Sequence, residues 1–212
     1  MRKEIDVSDD RAFDAASKPL ETELQNDGPK KYPWRLVLTG LGGAALFWAS
    51  WKWGRADITQ WSLVPGVALA GIGLLWRIWA TGWLQKNDIL ATQGPYSVTR
   101  NPLYLGTFFL TLGQSLMSGL VFAPILFPAL LLAFYVPTMQ REEEYLTERH
   151  GAAFTEYRKR VPLFVPRLRP PFHSPPQLDS VSFQWSRVHR CYKGFLGNLL
   201  VIALYAWLAW VR

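Results

Sequence analysis

The residues best suited to chemistry lie in one polar loop and in one later run of carboxylates. The loop carries Tyr96, Arg100, Asn101 and Tyr104, and the run is Glu142-Glu143-Glu144. Aromatic faces attract cations such as sulfonium and quaternary ammonium centres, and a carboxylate accepts hydrogen bonds from a cationic or hydroxyl-bearing ligand. These residue types predict a binding site for a ligand that carries a positive charge.

The polar loop contains two strong turn signals. Gly94-Pro95 predicts a turn, and Asn101-Pro102 predicts a helix N-cap followed by proline at the first helical position. A helix that begins there would point its positive dipole end and its unpaired N–H groups at the loop. The sequence therefore predicts a place for an anionic ligand group at the start of this helix.

Each of these features also has a purely structural interpretation. The glutamate run can form a solvated helix face with ion pairs to Arg141 and Arg149, and tyrosines commonly anchor a protein at the membrane interface. Asn101 needs no ligand if it only caps a helix. An inward-facing Glu142 or Glu143 would favour the ligand-binding interpretation, because unpaired carboxylates are costly beside a membrane.

Other classes of site find no support in the sequence. The three histidines show no metal-ligand spacing, and the chain has no phosphate-binding glycine loop, dinucleotide fingerprint or serine-hydrolase elbow. Cys191 is the only cysteine, so we expect it to be inert and to form no intrachain disulfide. The net charge of +7 comes without a basic helix or an aromatic-basic sheet pattern. We therefore expect anionic membrane lipid, and not nucleic acid, beside the basic surface.

The composition is that of a membrane protein. Of the 212 residues, 50% are hydrophobic and 11 are Trp, as in proteins with aromatic belts at both membrane interfaces. The five apolar spans are Trp34–Trp53, Ser62–Trp83, Pro102–Met117, Val121–Tyr135 and Phe195–Val211. The first two are long enough to cross a hydrocarbon core of about 30 Å as helices, and the shorter third and fourth are separated only by Ser118-Gly119-Leu120. We predict an all-α integral membrane fold of about five transmembrane helices that includes a helical hairpin.

The basic residues divide unequally between the two sides of such a bundle. The 23 Lys and Arg residues fall mostly in the N-terminal tail, the polar loop and the segment after the hairpin. The positive-inside tendency predicts that these three regions are cytoplasmic. The pocket formed by the loop and the glutamate run would then face the cytosol.

The residues outside the apolar spans indicate how the chain is divided. Residues 1–31 are polar and of mixed charge, which predicts a disordered tail before a membrane domain of residues 32–212. Pro137 is expected to end or kink a helix, and residues 140–160 predict a further helix with a break at Gly151.

The segments that follow are predicted to lie along the membrane surface. Residues 161–176 are rich in proline and are therefore expected to be extended. Residues 181–193 combine basic and aromatic side chains, which suits the lipid headgroup region.

Two separated motifs resemble those of a known family. The first comprises Leu90, Gly94-Pro95-Tyr96 and Arg100-Asn101-Pro102-Leu103-Tyr104-Leu105-Gly106, and the second comprises Glu142-Glu143-x-x-Leu146, Gly151, Tyr157 and Arg160-Val161-Pro162. Over residues 76–168 the chain resembles the isoprenylcysteine carboxyl methyltransferases and their phospholipid N-methyltransferase relatives. The resemblance implies an integral-membrane methyltransferase that binds S-adenosylmethionine in a cytosol-facing pocket. It also implies a lipophilic or lipid-bearing substrate that enters from the bilayer.

The resemblance further implies roles for individual residues, without a metal ion. The helix start at Asn101-Pro102 would suit the cofactor carboxylate, and Glu142 its ammonium group. Tyr96 or Tyr104 would suit the sulfonium side. The catalytic candidates carried over by position are Arg100, Glu142 and Glu143. The cofactor-binding candidates are Asp88, Ile89, Leu90, Ala91, Tyr96, Asn101, Pro102, Leu103, Tyr104 and Glu142.

Two positions depart from the family pattern. Asn101 stands where the family usually has His, and an Asn side chain does not titrate near neutral pH. Thr138 stands where the prenylcysteine enzymes have an Arg that can hold the substrate carboxylate, and Arg141 is displaced along the helix. These departures leave open a non-catalytic membrane protein with a degenerate site. A second alternative is an NADPH-dependent membrane sterol or enone reductase, which has a similar arrangement of motifs.

Overall fold

The structure is a computed structural model that describes residues 33–84, 89–167 and 182–211, with side chains from residue 41 onward. By its contacts the chain divides into Met1–Trp34 and Arg35–Arg212, and the packing described below belongs to the second part. The predicted tail lies outside the described residues. Within those residues the regular elements are α-helices and one short 3₁₀ turn, Gly94–Ser97. The α-helices are α1 Pro33–Trp53, α2 Ala56–Trp83, α3 Pro102–Met117, α4 Ala123–Arg160, α5 Trp185–Arg190 and α6 Tyr192–Val211.

The helical fold agrees with the all-α prediction. Three helices, α2, α4 and α6, are long and apolar enough to cross a membrane. Large apolar side chains stay exposed along them, among them Leu75, Leu130 and Leu200. Exposed apolar surface of this kind is unfavourable in water but favourable in contact with lipid hydrocarbon. A total of five spans stays a prediction, since α1 and α3 are not among these three helices of the described residues, and α3 has only 16 residues.

Helices α2 and α3 pack against each other through glycine. A Cβ on Gly73 would lie 2.6 Å from the Gly106 carbonyl oxygen, and a Cβ on Gly113 would lie 2.5 Å from the Gly66 carbonyl oxygen. The two glycines on each helix are two turns apart, so both pairs meet on one antiparallel seam. Small residues allow this close backbone approach, which is how helices associate when lipid removes the hydrophobic drive between them.

The predicted helical hairpin is confirmed. Helix α3 ends at Met117 and α4 begins at Ala123, with the predicted turn between them. Gly119 has a φ of +70°, a conformation that suits glycine. The Ser50 hydroxyl of α1 donates a 2.7 Å hydrogen bond to the Ser118 carbonyl oxygen, so α1 is tied to the turn.

Helix α4 differs from its prediction. Pro137 was expected to end or kink a helix, and the expectation of an end is wrong, because α4 runs through Pro137. A kink at Pro137 and the end of the apolar span at Tyr135 stay predictions. A proline removes one backbone donor, and helices in lipid tolerate this where neighbouring groups satisfy the freed carbonyl. The expected break at Gly151 is confirmed by its φ of 51° and ψ of −122°. One continuous helix therefore joins the apolar span to the glutamates.

A small second core lies under the polar loop. Leu90 packs there with Phe154, Tyr157 and Val161, and all four are almost fully buried. The last of these begins the proline-rich segment, of which residues 161–167 are described and are not helical. The loop therefore rests on the polar end of α4.

Candidate active site

The polar loop is shaped by the turn that Gly94-Pro95 predicts. Gly94 has a φ of +59°, and a Cβ there would lie 2.7 Å from the Trp83 ring at the end of α2. The 3₁₀ turn that follows buries Tyr96. The glycine thus lets the loop turn closely over α2 and carry the tyrosine inward.

The polar end of α4 holds this turn. The Tyr157 hydroxyl donates a 2.6 Å hydrogen bond to the Tyr96 carbonyl oxygen, and both side chains are buried. A short buried hydrogen bond between distant segments fixes their separation. The position of Tyr96 therefore depends on α4 as well as on its own loop.

Arg100 and Glu143 are brought together as an ion pair. The Arg100 Nε and Glu143 Oε1 atoms are 2.9 Å apart, and each side chain is about one-tenth exposed, at 11% and 10%. The two atoms are not aligned for a hydrogen bond, so their contact is electrostatic. Burial lowers the pKa of Arg100, and the charge of Glu143 opposes that shift.

A second cation and a backbone carbonyl complete this ion cluster. Arg158 Nε lies 3.6 Å from Glu143 Oε2, and Arg100 Nη1 donates a 3.0 Å hydrogen bond to the Arg158 carbonyl oxygen. Two of the predicted catalytic residues, Arg100 and Glu143, thus contact each other. The cluster joins the start of α3 to the polar end of α4.

Glu142 faces a different environment from its two neighbours. The Tyr104 hydroxyl donates a 2.7 Å hydrogen bond to Glu142 Oε1, and the Tyr104 ring meets Tyr135 edge-on at a centroid distance of 4.7 Å. Glu142 is half-buried, Glu143 is buried and Glu144 is exposed. The run is therefore not one solvated face, and the inward orientation considered for its first two members is what the structure has.

The Tyr96 hydroxyl is a buried donor without a hydrogen-bond partner among the described residues. Burial raises the pKa of Tyr96 well above its usual value of 10, and the nearby charge of Glu142 raises it further. The phenol therefore stays protonated at neutral pH. A buried, unpaired donor is unusual in a protein interior and points to a polar partner that completes the site.

The predicted side-chain cap at Asn101 is wrong. Asn101 occupies the N-cap position of α3, and Pro102 follows at the first helical position, but the Asn101 side chain makes no capping hydrogen bond. Its Nδ2 donates a 3.1 Å hydrogen bond to the Leu163 carbonyl oxygen instead. This bond orients the side chain toward the proline-rich segment, and its oxygen accepts no bond from the first-turn amides of α3, which are left to other acceptors.

Asn101→Asp is therefore expected to destabilise the protein. The carboxylate would face the Leu163 carbonyl oxygen, acceptor against acceptor, at a cost of about 1–3 kcal/mol. Thermal unfolding of the detergent-purified protein measures this cost. Asn101→His should recover most of the stability, because a ring N–H can donate in place of the amide. Equal stability of the Asp variant and the parent would contradict the assignment.

The other candidates lie along the same path of chain. Leu90 and Pro102 are buried, and Ile89, Ala91 and Leu103 are half-buried. Asp88 lies outside the described residues. Within those residues, no group of three or more His, Cys, Asp or Glu side chains is close enough to hold a metal ion.

Sequence reasoning assigned no role in the site to four residues that shape it. Tyr157, which holds the loop, was part of the second motif but was given no role, and Arg158, which contacts Glu143, gave no specific signal. The Thr99 hydroxyl donates a 2.9 Å hydrogen bond to the Phe164 carbonyl oxygen and so holds the proline-rich segment. Arg77 had a usable signal, since it is a charged residue inside an apolar span.

The departure at Thr138 is also clear in the structure. Thr138 is buried and donates a 3.1 Å hydrogen bond to the Phe134 carbonyl oxygen of its own helix. Arg141 is exposed. On α4, therefore, Arg141 does not take the inward position that the family gives to an arginine.

Comparison with known proteins identifies relatives in bacteria and fungi. The chain is 38% identical over 159 residues to the nickel-cobalt-cadmium resistance protein NccN of Alcaligenes xylosoxydans xylosoxydans, which covers 73% of this chain and 71% of that protein. It is 35% identical over 140 residues to the cobalt-zinc-cadmium resistance protein CzcN of Cupriavidus metallidurans, which covers 64% of this chain and 62% of that protein. No solved structure matches the chain.

The methyltransferase relatives match a smaller part of the chain. The chain is 35% identical over 81 residues to the protein-S-isoprenylcysteine O-methyltransferase of Schizosaccharomyces pombe, covering 38% of this chain and 34% of that protein. The chain thus spans less than two thirds of CzcN and about a third of the yeast enzyme. The phospholipid methyltransferase family matches residues 61–153, which include the loop and the glutamates. The chain therefore belongs to the family of isoprenylcysteine carboxyl methyltransferase-like and phospholipid methyltransferase-like membrane proteins.

Proposed function

We propose that this protein transfers a methyl group from S-adenosylmethionine to a lipophilic acceptor in the membrane. One observation carries the proposal: the Tyr96 hydroxyl is buried and has no partner among the described residues, and the charge of the Glu142 carboxylate acts on it. Together with the start of α3, these groups offer a neutral donor, an anion and the positive end of a helix dipole. The names of the methyltransferase relatives favour this reaction over the reductase alternative.

The residues present fit this cofactor by charge and by hydrogen bonding. Glu142 would accept hydrogen bonds from the ammonium group, while its bond from Tyr104 keeps the carboxylate in position. The first-turn amides of α3, after Pro102, would bind the carboxylate. Tyr96 would donate its unused O–H to the same ligand. When bound, S-adenosylmethionine would supply a methyl group that its sulfonium charge has already activated.

The protein's own contribution is alignment and exclusion of water. The ion cluster of Arg100, Glu143 and Arg158 joins α3 to α4, and the Tyr157–Tyr96 hydrogen bond joins α4 to the loop. Because these two sets of contacts hold α3, α4 and the loop together, the groups around the ligand have little freedom to reorganise during the reaction. Arg100 and Glu143 thus act as positioning residues.

The acceptor determines whether the site needs a base. A carboxylate or a thiolate is already a nucleophile, whereas an amine must first lose a proton. Asn101 cannot take that proton near neutral pH, and its amide is engaged with Leu163. An acceptor that arrives as an anion would need no base from Asn101.

Ligand-dependent thermal unfolding in detergent tests the proposed function. S-adenosylmethionine at about 100 times its dissociation constant should add about 2.7 kcal/mol to the free energy of unfolding. NADPH at the same concentration should add nothing. Stabilisation by NADPH alone would instead support the reductase alternative.

We further propose that the N-terminus and the site face the cytosol. In a variant with Cys191 replaced by Ser, single cysteines at Gln93 and Val165 should react with a membrane-impermeant maleimide only from the cytoplasmic side. A cysteine at Val121, exposed in the hairpin turn, should react only from the opposite side. Labelling of positions 93 and 121 from the same side would refute this topology.

A further inference from the structure

Arg77 is a charged side chain placed within an apolar, membrane-length helix. It lies six residues before Trp83, the end of α2, which is about 9 Å along the helix axis. The surrounding helix is apolar enough to span a membrane. An arginine at such a depth is expensive and generally serves a function, commonly with an anionic partner.

The described protein leaves much of this cation unsatisfied. Arg77 Nη1 donates to the Thr107 hydroxyl, and it lies 3.4 Å from the Leu103 carbonyl oxygen. The Nε atom is buried and has no hydrogen-bond partner, and no carboxylate among the described residues forms an ion pair with Arg77. A guanidinium carries five N–H donors in a planar fork that matches a carboxylate or a phosphate.

A series of contacts leads from Arg77 to the candidate cofactor site. Arg77 Nη1 lies 3.4 Å from the carbonyl oxygen of Leu103, the residue before Tyr104 in α3. The Tyr104 hydroxyl is bonded to Glu142, and the Tyr104 ring packs against Tyr135 of α4. The arginine and the Glu142 carboxylate therefore both contact the first two turns of α3.

The neighbouring helices leave room for an arginine from α2 at this place. A Cβ on Gly106 would lie 2.6 Å from Arg77 Cγ, so only a glycine in α3 allows the arginine stem to pass. Thr138 on α4 is small and uncharged, and Arg141 is exposed. The cation near the first two turns of α3 thus comes from α2 and not from the position on α4 that the family pattern favours.

We propose that Arg77 binds the anionic oxygen group, carboxylate or phosphate, of an amphiphilic acceptor whose hydrocarbon chain stays in the bilayer. That this ligand is the methyl acceptor rests on the proposed function, whereas the binding of its anionic group to Arg77 does not. The fork would engage the two oxygens of such a group, and the apolar surfaces of α4 and α6 would remain in contact with its chain.

Equilibrium binding of radiolabelled laurate to the full-length protein in dodecyl maltoside micelles tests this proposal. Arg77→Met keeps the apolar stem and removes the charge, so it should weaken laurate binding about tenfold or more. Arg77→Lys keeps the charge and should retain part of the binding. Arg55→Met, at the exposed opposite end of the same helix, should bind as the parent does. Methyl laurate, with the same chain and no charge, should not compete.

A second arm distinguishes the two sources of the anion. Dioleoyl phosphatidic acid and dioleoyl phosphatidylcholine are each tested as competitors of laurate. If only phosphatidic acid competes, and if its competition requires Arg77, the anionic group belongs to a phospholipid. Competition by laurate analogues alone would assign it to a free carboxylate. S-adenosylhomocysteine should bind Arg77→Met and the parent equally, as judged by thermal stabilisation.

Three results separate failure of this proposal from failure of the proposed function. If laurate and phosphatidic acid bind Arg77→Met as tightly as they bind the parent, the proposed role of Arg77 is wrong. Loss of S-adenosylhomocysteine binding in a folded Arg77→Met variant would also overturn it, since Arg77 would then belong to the cofactor site. Arg77-dependent laurate binding by a parent that does not bind S-adenosylhomocysteine would support the anion site and overturn the proposed function.

Discussion

Glu142→Gln is expected to reduce S-adenosylhomocysteine binding by about tenfold to a hundredfold. The variant keeps the shape of the side chain and an oxygen that can accept the Tyr104 hydrogen bond, but it removes the negative charge that would pair with the ligand ammonium group. A hydrogen bond to a charged partner contributes about 1.5–3 kcal/mol, which corresponds to this range of affinity. Isothermal titration in detergent micelles measures the dissociation constant directly.

The neighbouring glutamates provide matched controls for this variant. Glu144→Gln makes the same chemical change at an exposed position and should leave binding within about twofold of the parent, because a solvated charge contributes little. Glu143→Gln should reduce stability before it reduces affinity, since it leaves Arg100 without its counter-ion. Equal loss of binding in the variants at 142 and 144, at the same folded fraction, would return the run to a purely structural role.

Gly73→Val is expected to prevent α2 and α3 from packing. Its Cβ would lie 2.6 Å from both the Gly106 carbonyl oxygen and the Leu110 amide nitrogen, and backbone atoms cannot rotate away as a side chain can. The helices would have to separate, at a cost of at least the roughly 1–3 kcal/mol that overpacking imposes. Size-exclusion chromatography and thermal unfolding should show an aggregated or strongly destabilised protein.

Gly71→Val is the matched control for the packing variant. It lies two residues away on the same helix, and a Cβ there meets nothing within 4 Å. The same gain in β-branched volume should therefore change the unfolding temperature only slightly. If both valine variants unfolded alike, helix propensity or lipid contact, and not the seam with α3, would explain the loss.

The sequence was most informative where the chain determines its own local geometry. Gly94-Pro95, Gly119 and Gly151 each marked a real turn or break, because glycine accepts a positive φ at little cost. Pro102 marked the start of α3, because its fixed φ suits the first helical position. The glutamate run was left open between a solvated face and an inward Glu142 or Glu143, and only the structure decides between these interpretations.

The sequence was least informative where the decisive partner is distant along the chain. The amide of Asn101 is engaged by the carbonyl of Leu163, and nothing in the local pattern distinguishes that bond from a helix cap. The same holds for Tyr157 and its bond to the Tyr96 carbonyl. Pro137 was given too much weight, because the stability of a long helix in lipid outweighs one missing donor.

Because α4 is continuous from the hairpin turn to the glutamates, the length of this segment can be compared with the thickness of a bilayer. From Ala123, where α4 leaves the hairpin turn, to Glu142 the helix extends about 28 Å, close to the thickness of a hydrocarbon core of about 30 Å. A helix of this length places the carboxylate at the boundary between hydrocarbon and water whenever its other end lies at the opposite boundary. In the proposed function, the depth at which the water-soluble cofactor and the membrane-soluble acceptor meet is thus determined by the length of a single helix.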